Sequence, residues 1–277
     1  LLDAQQRLAS SGYYDAVFLA LDTEGTDPQA VPVVAQLREA PLHKLVFGLG
    51  LSTDSGARLS VDHTHNRLPA IGWRAVSKLV IDRNTKLLGT EGMALPDEEG
   101  WRWFSGAQAL REATGSYEVN SARLRAGRSQ SRGAIDRNYA LQYDAADSQG
   151  SGAPPSSAAL TAQFGWTGRY FDIPTAPTDG HGLAWELGVG TTLRPRRDPF
   201  VRGLVRWQHF LPVGRVTAAE GASHRGRVAL RAEAGAVLAR STAQIPVTQL
   251  FLTGGDTTVR GYGYRTIGAR TDNGQVY

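Results

Sequence analysis

The stretch Gly254-Gly255-Asp256-Thr257-Thr258-Val259-Arg260-Gly261-Tyr262-Gly263-Tyr264 is the most distinctive part of the sequence. It holds four glycines, which disfavour both helix and strand because each adds backbone entropy and offers no side chain to pack. Its only arginine lies between a β-branched residue and a glycine. Composition alone predicts a glycine-rich loop. This is either a plain surface turn or a loop that folds back and docks its guanidinium on a carboxylate.

A family resemblance favours the second alternative. Val259-Arg260-Gly261-Tyr262, preceded by Gly254-Gly255-Asp256-Thr257, resembles the VRGY/VRGF motif of the BamA/TamA superfamily, bacterial outer-membrane barrels that insert or secrete other barrel proteins. The run from residue 249 to 268 is most similar to the TamA branch. In that family the motif lies at the tip of the long loop after about the eleventh strand, which folds back into the barrel. The resemblance therefore implies that Arg260 points at the barrel wall.

Length, charge and cysteine content exclude several classes of protein. The 277 residues give room for one large or two small domains. The absence of cysteine excludes disulfides, thiolate metal sites and cysteine nucleophiles. The net charge of +4, without a basic run interleaved with aromatic residues, argues against nucleic-acid binding. No apolar run approaches the ~20 residues of a membrane helix, whereas barrel strands of ~10 alternating residues are compatible with the sequence.

The first forty residues differ in pattern from the rest. Residues 1–9 predict a helix that ends near Gly12, and residues 13–22 and 31–39 predict two strands. These elements are too few to bury a core, and they resemble the end of a POTRA domain, the periplasmic module before the barrel. Residues 1–40 are thus expected to close the last POTRA domain, and residues 41–277 to begin the barrel. The chain has no initial Met and no signal peptide, so a fragment is expected.

From residue 42 onward apolar and polar residues alternate in about eleven stretches. They cover about residues 42–52, 58–64, 73–82, 86–95, 101–113, 117–128, 135–144, 160–170, 183–193, 201–211 and 227–238. The stretches are longer than soluble strands, carry charges at mid-strand and place most tryptophans toward one edge, as an aromatic girdle requires. The sequence therefore predicts an all-β fold, an incomplete antiparallel transmembrane β-barrel.

Alternation also predicts the two faces of the sheet. The side chains expected to face lipid are Leu230, Leu187, Trp185 and Phe164. The charges expected in the lumen are Arg231, Glu233, Glu186 and Arg202. Within this chain, Asp256 and the two lumenal glutamates are the candidate partners of Arg260. In the family that partner comes from a later strand.

The first barrel strand is the expected seam. Leu45, Phe47 and Leu49 share one face, opposite Gly48 and Gly50. The Gly48-Leu49-Gly50 run has no following helix and is therefore not a dinucleotide loop. By the resemblance, glycines here fit a weakly paired seam with the barrel's last strand.

Metal, cofactor and catalytic sites are not predicted. His63 and His65 would point to one face of a strand, but no third ligand lies near them in sequence, and a position at the membrane interface is favoured. Asp97-Glu98-Glu99 predicts a solvated turn rather than a calcium site. The sequence contains no nucleophile elbow, Walker lysine or zincin motif, so the protein is not expected to be an enzyme.

The resemblance implies insertion of unfolded barrel clients, notably autotransporters, into the outer membrane by strand addition at the seam, with no cofactor. It also implies outer-membrane lipid and a TamB-like inner-membrane-anchored protein as partners. The family's barrel has about sixteen strands, so about five are expected to be missing at the C-terminus. A BamA-type general insertase and a two-partner secretion pore remain alternatives within the superfamily. A passive porin or adhesin is the alternative of another class, and a barrel phospholipase a more remote one.

Overall fold

The computed structural model describes residues 1–22, 30–52, 55–114, 117–173, 175–217, 223–251, 253 and 267–268. In this part of the chain one α-helix precedes thirteen strands, and a single short 3-10 helix follows them. No helix among these residues is both long and apolar enough to cross a membrane.

The N-terminal elements are one helix and a two-stranded sheet. Helix α1 spans Leu2–Ser10, and strands β1 (Tyr14–Leu21) and β2 (Val33–Glu39) pair antiparallel, as predicted. The helix ends where the Ser11 N–H donates to the Leu8 carbonyl oxygen at 3.2 Å and Gly12 takes a positive φ of 77°.

The remaining strands form one eleven-stranded antiparallel sheet. They are β3 (His43–Ser52), β4 (Gly56–His65), β5 (Arg74–Ile81), β6 (Thr85–Met93), β7 (Trp101–Thr114), β8 (Tyr117–Arg132), β9 (Ile135–Gly150), β10 (Ser157–Phe171), β11 (Gly180–Arg194), β12 (Pro199–Thr217) and β13 (Ser223–Ala239). Each strand pairs with its neighbours in sequence, so the order runs from β13 to β3 without a crossover. Within the described residues the sheet does not close, and β3 and β13 are its edges. The predicted all-β fold of about eleven barrel strands is confirmed.

Several strands are longer than the alternation predicted. Strand β12 continues to Thr217 and β8 to Arg132, each several residues past the end of its apolar pattern. Backbone hydrogen bonding explains this, because a ladder continues wherever two strands stay adjacent, whether or not their side chains alternate. Alternation marks only the part of a strand whose two faces meet different surroundings.

The sheet has two ends and two faces. The proximal end is where β3 begins, and it includes the turn holding Gly72, whose carbonyl oxygen accepts a hydrogen bond from the Tyr13 hydroxyl. The opposite end is called distal. The inner face is the one on which residues 243–251 lie, and the outer face is the other. Large apolar side chains are exposed along the outer face, including Leu187 at 46% and Leu230 at 43%.

Candidate functional site

The glycine-rich motif lies outside the described residues: this holds for Val259, Arg260, Gly261, Tyr262, Gly254, Gly255 and Asp256. The structure does describe two residues that flank the motif. Thr253 and Ile267 form an antiparallel bridge, with N–H···O hydrogen bonds of 2.8 and 2.9 Å in the two directions. The two sides of the motif are therefore held against each other.

The segment that leads from β13 toward the motif lies on the inner face of the sheet. We call residues 243–251 the docked segment. Its Ile245 packs in a buried apolar cluster with Ala159 of β10 and Phe200 of β12. Its Val247, at the start of a 3-10 helix over Val247–Gln249, packs with Val119 and Ala146. Apolar burial at two points thus fixes the path of the segment across β8 to β12.

Asp144 of β9 is the polar centre of this contact. Its side chain is fully buried, at 0% exposure. It forms an ion pair with its cross-strand neighbour Arg123, whose Nε lies 2.8 Å from Oδ1. Gln142 Nε2 donates to Oδ2 at 2.6 Å. From the docked segment, Thr248 Oγ1 donates to Oδ1 at 3.2 Å and Gln249 Nε2 donates to Oδ2. A buried carboxylate is tolerated only with such partners, and here two of the four belong to the docked segment.

Two arginines also hold the backbone of the docked segment. Arg123 donates from Nη2 to the Thr248 carbonyl oxygen at 3.4 Å, and Arg202 from Nε to the Gln249 carbonyl oxygen at 3.0 Å. The Arg202 guanidinium carbon lies 4.3 Å from the ring centroid of Phe251, a cation–π distance. These carbonyls belong to the end of the 3-10 helix, where backbone acceptors lack helical partners. Arginines of the sheet therefore supply the hydrogen-bond donors for the carbonyl oxygens of the docked segment.

The other predicted lumenal charges form a ladder beside this contact. Glu186 lies 3.5 Å from Arg202 and 3.1 Å from Arg206. Glu233 lies 3.5 Å from Arg206 and 2.9 Å from Arg231. All five side chains occupy inner-face positions of β11, β12 and β13. Glu186 and Glu233, the two glutamates predicted as partners of Arg260, are thus already paired with arginines of β12 and β13.

Sequence reasoning missed Asp144. The alternation places it on the polar face of β9 together with Gln142, which is the only local signal. Its partners on the docked segment are 104 and 105 residues away in sequence. No pattern within one strand contains that information.

The predicted seam residues lie on an edge strand. Leu45, Phe47 and Leu49 occupy the outer face of β3 and are exposed at 57%, 68% and 88%. Gly48 and Gly50 occupy its inner face. A Cβ atom added at Gly48 would lie 2.5 Å from Ser60 Oγ, so a side chain there would displace that hydroxyl. Strand β3 pairs only with β4 in the described part of the chain. Its other backbone edge is unpaired there.

The first hairpin gathers three histidines rather than two. The register pairs His43 with His65, and His43 Nδ1 lies 3.1 Å from His63 Nε2. The third imidazole could have been found from the register of this hairpin, because β3 begins opposite the end of β4. Across the residues that the structure describes, no three His, Cys, Asp or Glu side chains are placed to hold a metal ion.

Comparisons with known proteins identify the family. The model of the Omp85 superfamily domain matches residues 104–277, more than half of the chain. No curated protein sequence matches the chain. Among solved structures, the chain is similar to BamA from Haemophilus ducreyi lacking POTRA domains 1-3, with a TM-score of 0.71 and 14% identity over 99% of this chain. The chain spans 56% of that structure, and at this identity the likeness shows a shared fold. The chain therefore belongs to the Omp85 superfamily, β-barrel proteins of the bacterial outer membrane.

Proposed function

We propose that this chain is part of an outer-membrane assembly factor that inserts β-barrel proteins, such as autotransporters, by strand addition at β3. In this proposal residues 1–40 close the last POTRA domain in the periplasm, and residues 41–277 begin the barrel. Assignment to the TamA branch rests on the glycine-rich motif, and with it comes a TamB-like partner on the periplasmic side. A BamA-type insertase and a two-partner secretion pore are the alternatives within the superfamily, because both would have the same kind of barrel.

The observation that carries the proposal is the make-up of β3, the first strand of the sheet. A first strand that pairs only weakly with the strand closing the barrel can offer its N–H and C=O groups to an incoming strand without any new recognition surface. Strand β3 also carries glycines at positions 48 and 50, which weaken a strand because they offer no side chain for packing. A seam must open for each client, and an edge that pairs weakly opens at low cost.

Engineered cysteines test this edge directly, because the chain contains no cysteine of its own. We expect Leu45→Cys in β3 to form a disulfide with a cysteine in the terminal strand of an arrested client. Paired strands bring Cα atoms to ~5.5 Å, within the range of a disulfide. Leu79→Cys is the matched control, since it shares the outer face but lies in β5, which is paired on both sides. Equal crosslinking at both positions, or insertion with none at Leu45→Cys, would reject strand addition at β3.

The glycine-rich loop gives a second expected result. Arg260→Ala in the intact protein should slow client insertion roughly 10- to 150-fold, as expected when charge-assisted hydrogen bonds of about 1.5–3 kcal/mol are lost. Arg260→Lys should restore little, because an ammonium lacks the planar fork of a guanidinium. Insertion is measured at matched abundance of barrel in the membrane. Full activity of Arg260→Ala would show that this loop is a plain surface turn and that its arginine has no role in insertion.

A pore measurement separates the proposal from a passive porin. A barrel with a docked loop should conduct little in planar bilayers, whereas a porin conducts steadily. Steady conductance of the intact protein together with normal β-barrel assembly in its absence would favour the porin.

A further inference from the structure

The outer face of β7 to β11 carries a band of aromatic side chains that begins at the proximal end of β7. Trp101 of β7, Tyr139 of β9, Phe164 of β10 and Trp185 of β11 follow one another, with ring centroids 5.7, 4.8 and 5.0 Å apart. Such a band is typical of the boundary between the hydrocarbon core and the headgroups, where amphipathic rings are stable. The end of the band that holds Trp101, the first residue of β7, is therefore at headgroup level, and the band rises from there toward the middle of β10.

Arg128 is built into this band. Its guanidinium carbon lies 5.5 Å from the ring centroid of Trp101 and 5.2 Å from that of Trp103. It is also paired with Asp97 of the β6–β7 turn, at 2.8 Å. Because this charge is already neutralised, Arg128 stiffens the band but offers little attraction to an anion.

Two further arginines at the same level have no such partner. Arg137 lies opposite Gln130 on β8 and Trp166 on β10, and Arg132 lies opposite Ile135 at the β8–β9 hairpin. Both side chains are exposed. Neither has an ion pair within the part of the chain that the structure describes. Two uncompensated guanidinium groups at headgroup level favour an anionic headgroup, at about 1 kcal/mol each.

A mostly apolar groove begins at Tyr139, which lies two residues from Arg137 on the same face of β9. It has a volume of about 490 Å³ and is lined on the outer face mainly by Trp103, Tyr139 and Leu141. It runs from the aromatic band toward the middle of the strands. Polar contacts at one end and an apolar groove at the other match the two parts of a phospholipid.

We propose that this surface binds one anionic phospholipid, with Arg132 and Arg137 contacting its phosphate and an acyl chain lying in the groove beside Tyr139. Both arginines can donate two N–H groups to phosphate oxygens, a geometry for which guanidinium is well suited. This lipid site requires only that the barrel lies in a membrane. It is therefore independent of the proposed function in client insertion.

Native mass spectrometry of the intact protein in detergent tests the proposal, with dioleoyl-phosphatidylglycerol and dioleoyl-phosphatidylethanolamine offered at equal concentration. The wild type should retain the phosphatidylglycerol roughly thirtyfold more than the phosphatidylethanolamine, as two contacts of about 1 kcal/mol imply. Arg132→Gln with Arg137→Gln should abolish the preference. Arg132→Lys with Arg137→Lys should keep most of it, because the charge remains.

The matched control is Arg58→Gln with Arg240→Gln, which removes the same charge near the distal end and should leave the preference intact. Heat-modifiable migration on gels checks that each variant is folded. If the double glutamine variant fails to fold, Arg132→Gln alone replaces it as the test, because Arg132 lies at an exposed hairpin. This single variant should lower the preference for phosphatidylglycerol about fivefold. The proposal is overturned by a wild type without preference, by a folded glutamine variant that keeps it, or by a lysine variant that loses it.

Discussion

Asp144→Ala is expected to lower the free energy of unfolding of the intact protein by about 3–5 kcal/mol, the usual cost of breaking a buried charge pair. The carboxylate is fully buried, whereas Arg123 is 33% exposed on its side chain. Its loss leaves this guanidinium and the amides of Gln142 and Gln249 without their acceptor. Unfolding is measured by denaturant titration in lipid vesicles, and hydrogen exchange of residues 245–251 reports release of the docked segment.

Asp147→Ala is the matched control for this substitution. It is the same residue type on the same strand, and it is paired with Arg194 at 3.2 Å. The side chains of Asp147 and Arg194 are each 57% exposed, and surface ion pairs of this kind contribute about 0–1 kcal/mol to stability. Equal losses for the two aspartates, or normal protection of residues 245–251 in Asp144→Ala, would contradict the role given to Asp144.

Leu187→Arg is expected to cost about 2–4 kcal/mol, the range for a cation on the lipid face near the bilayer midplane. Leu187 lies in the middle of β11 on the outer face and pairs with Phe164 and Gly203. Unfolding is again followed by denaturant titration in lipid vesicles.

Gln163→Arg is the control, because Gln163 lies on the inner face, where it lines the same cavity as Glu186. An added cation there meets water rather than lipid, so its cost should be well below that of Leu187→Arg. A larger loss for Gln163→Arg than for Leu187→Arg would mean that the two faces are exchanged.

Sequence reasoning succeeds for the strands because their signal is local. A period of two identifies each strand and its faces from about ten neighbouring residues, and Leu230 and Arg231 are assigned to opposite faces in this way. The same reasoning fails at strand ends, where backbone pairing continues without alternation, as in β12 beyond position 211. The number and order of strands followed from counting hairpins, which also requires only adjacent segments.

The candidate site was less accessible to the same reasoning. Arg202 and Glu186 were selected as lumenal charges, but no local pattern shows that Arg202 donates to a carbonyl oxygen of residue 249. The importance of Asp144 is likewise set by a segment that returns across the sheet. The third histidine, His43, could have been found, because the register of a single hairpin determines it.

The docked segment has a consequence for the order of folding. All strand pairs in the sheet are between neighbours in sequence, so each hairpin can form with a small loss of chain entropy. The bonds from Asp144 to Thr248 and Gln249 instead close loops of 104 and 105 residues. These hydrogen bonds can form only after β9 to β13 are aligned, so they offset the entropy of closing the loops late. Docking of the segment is therefore a late step of folding. Asp144→Ala should accordingly accelerate unfolding while leaving the refolding rate of the strands almost unchanged.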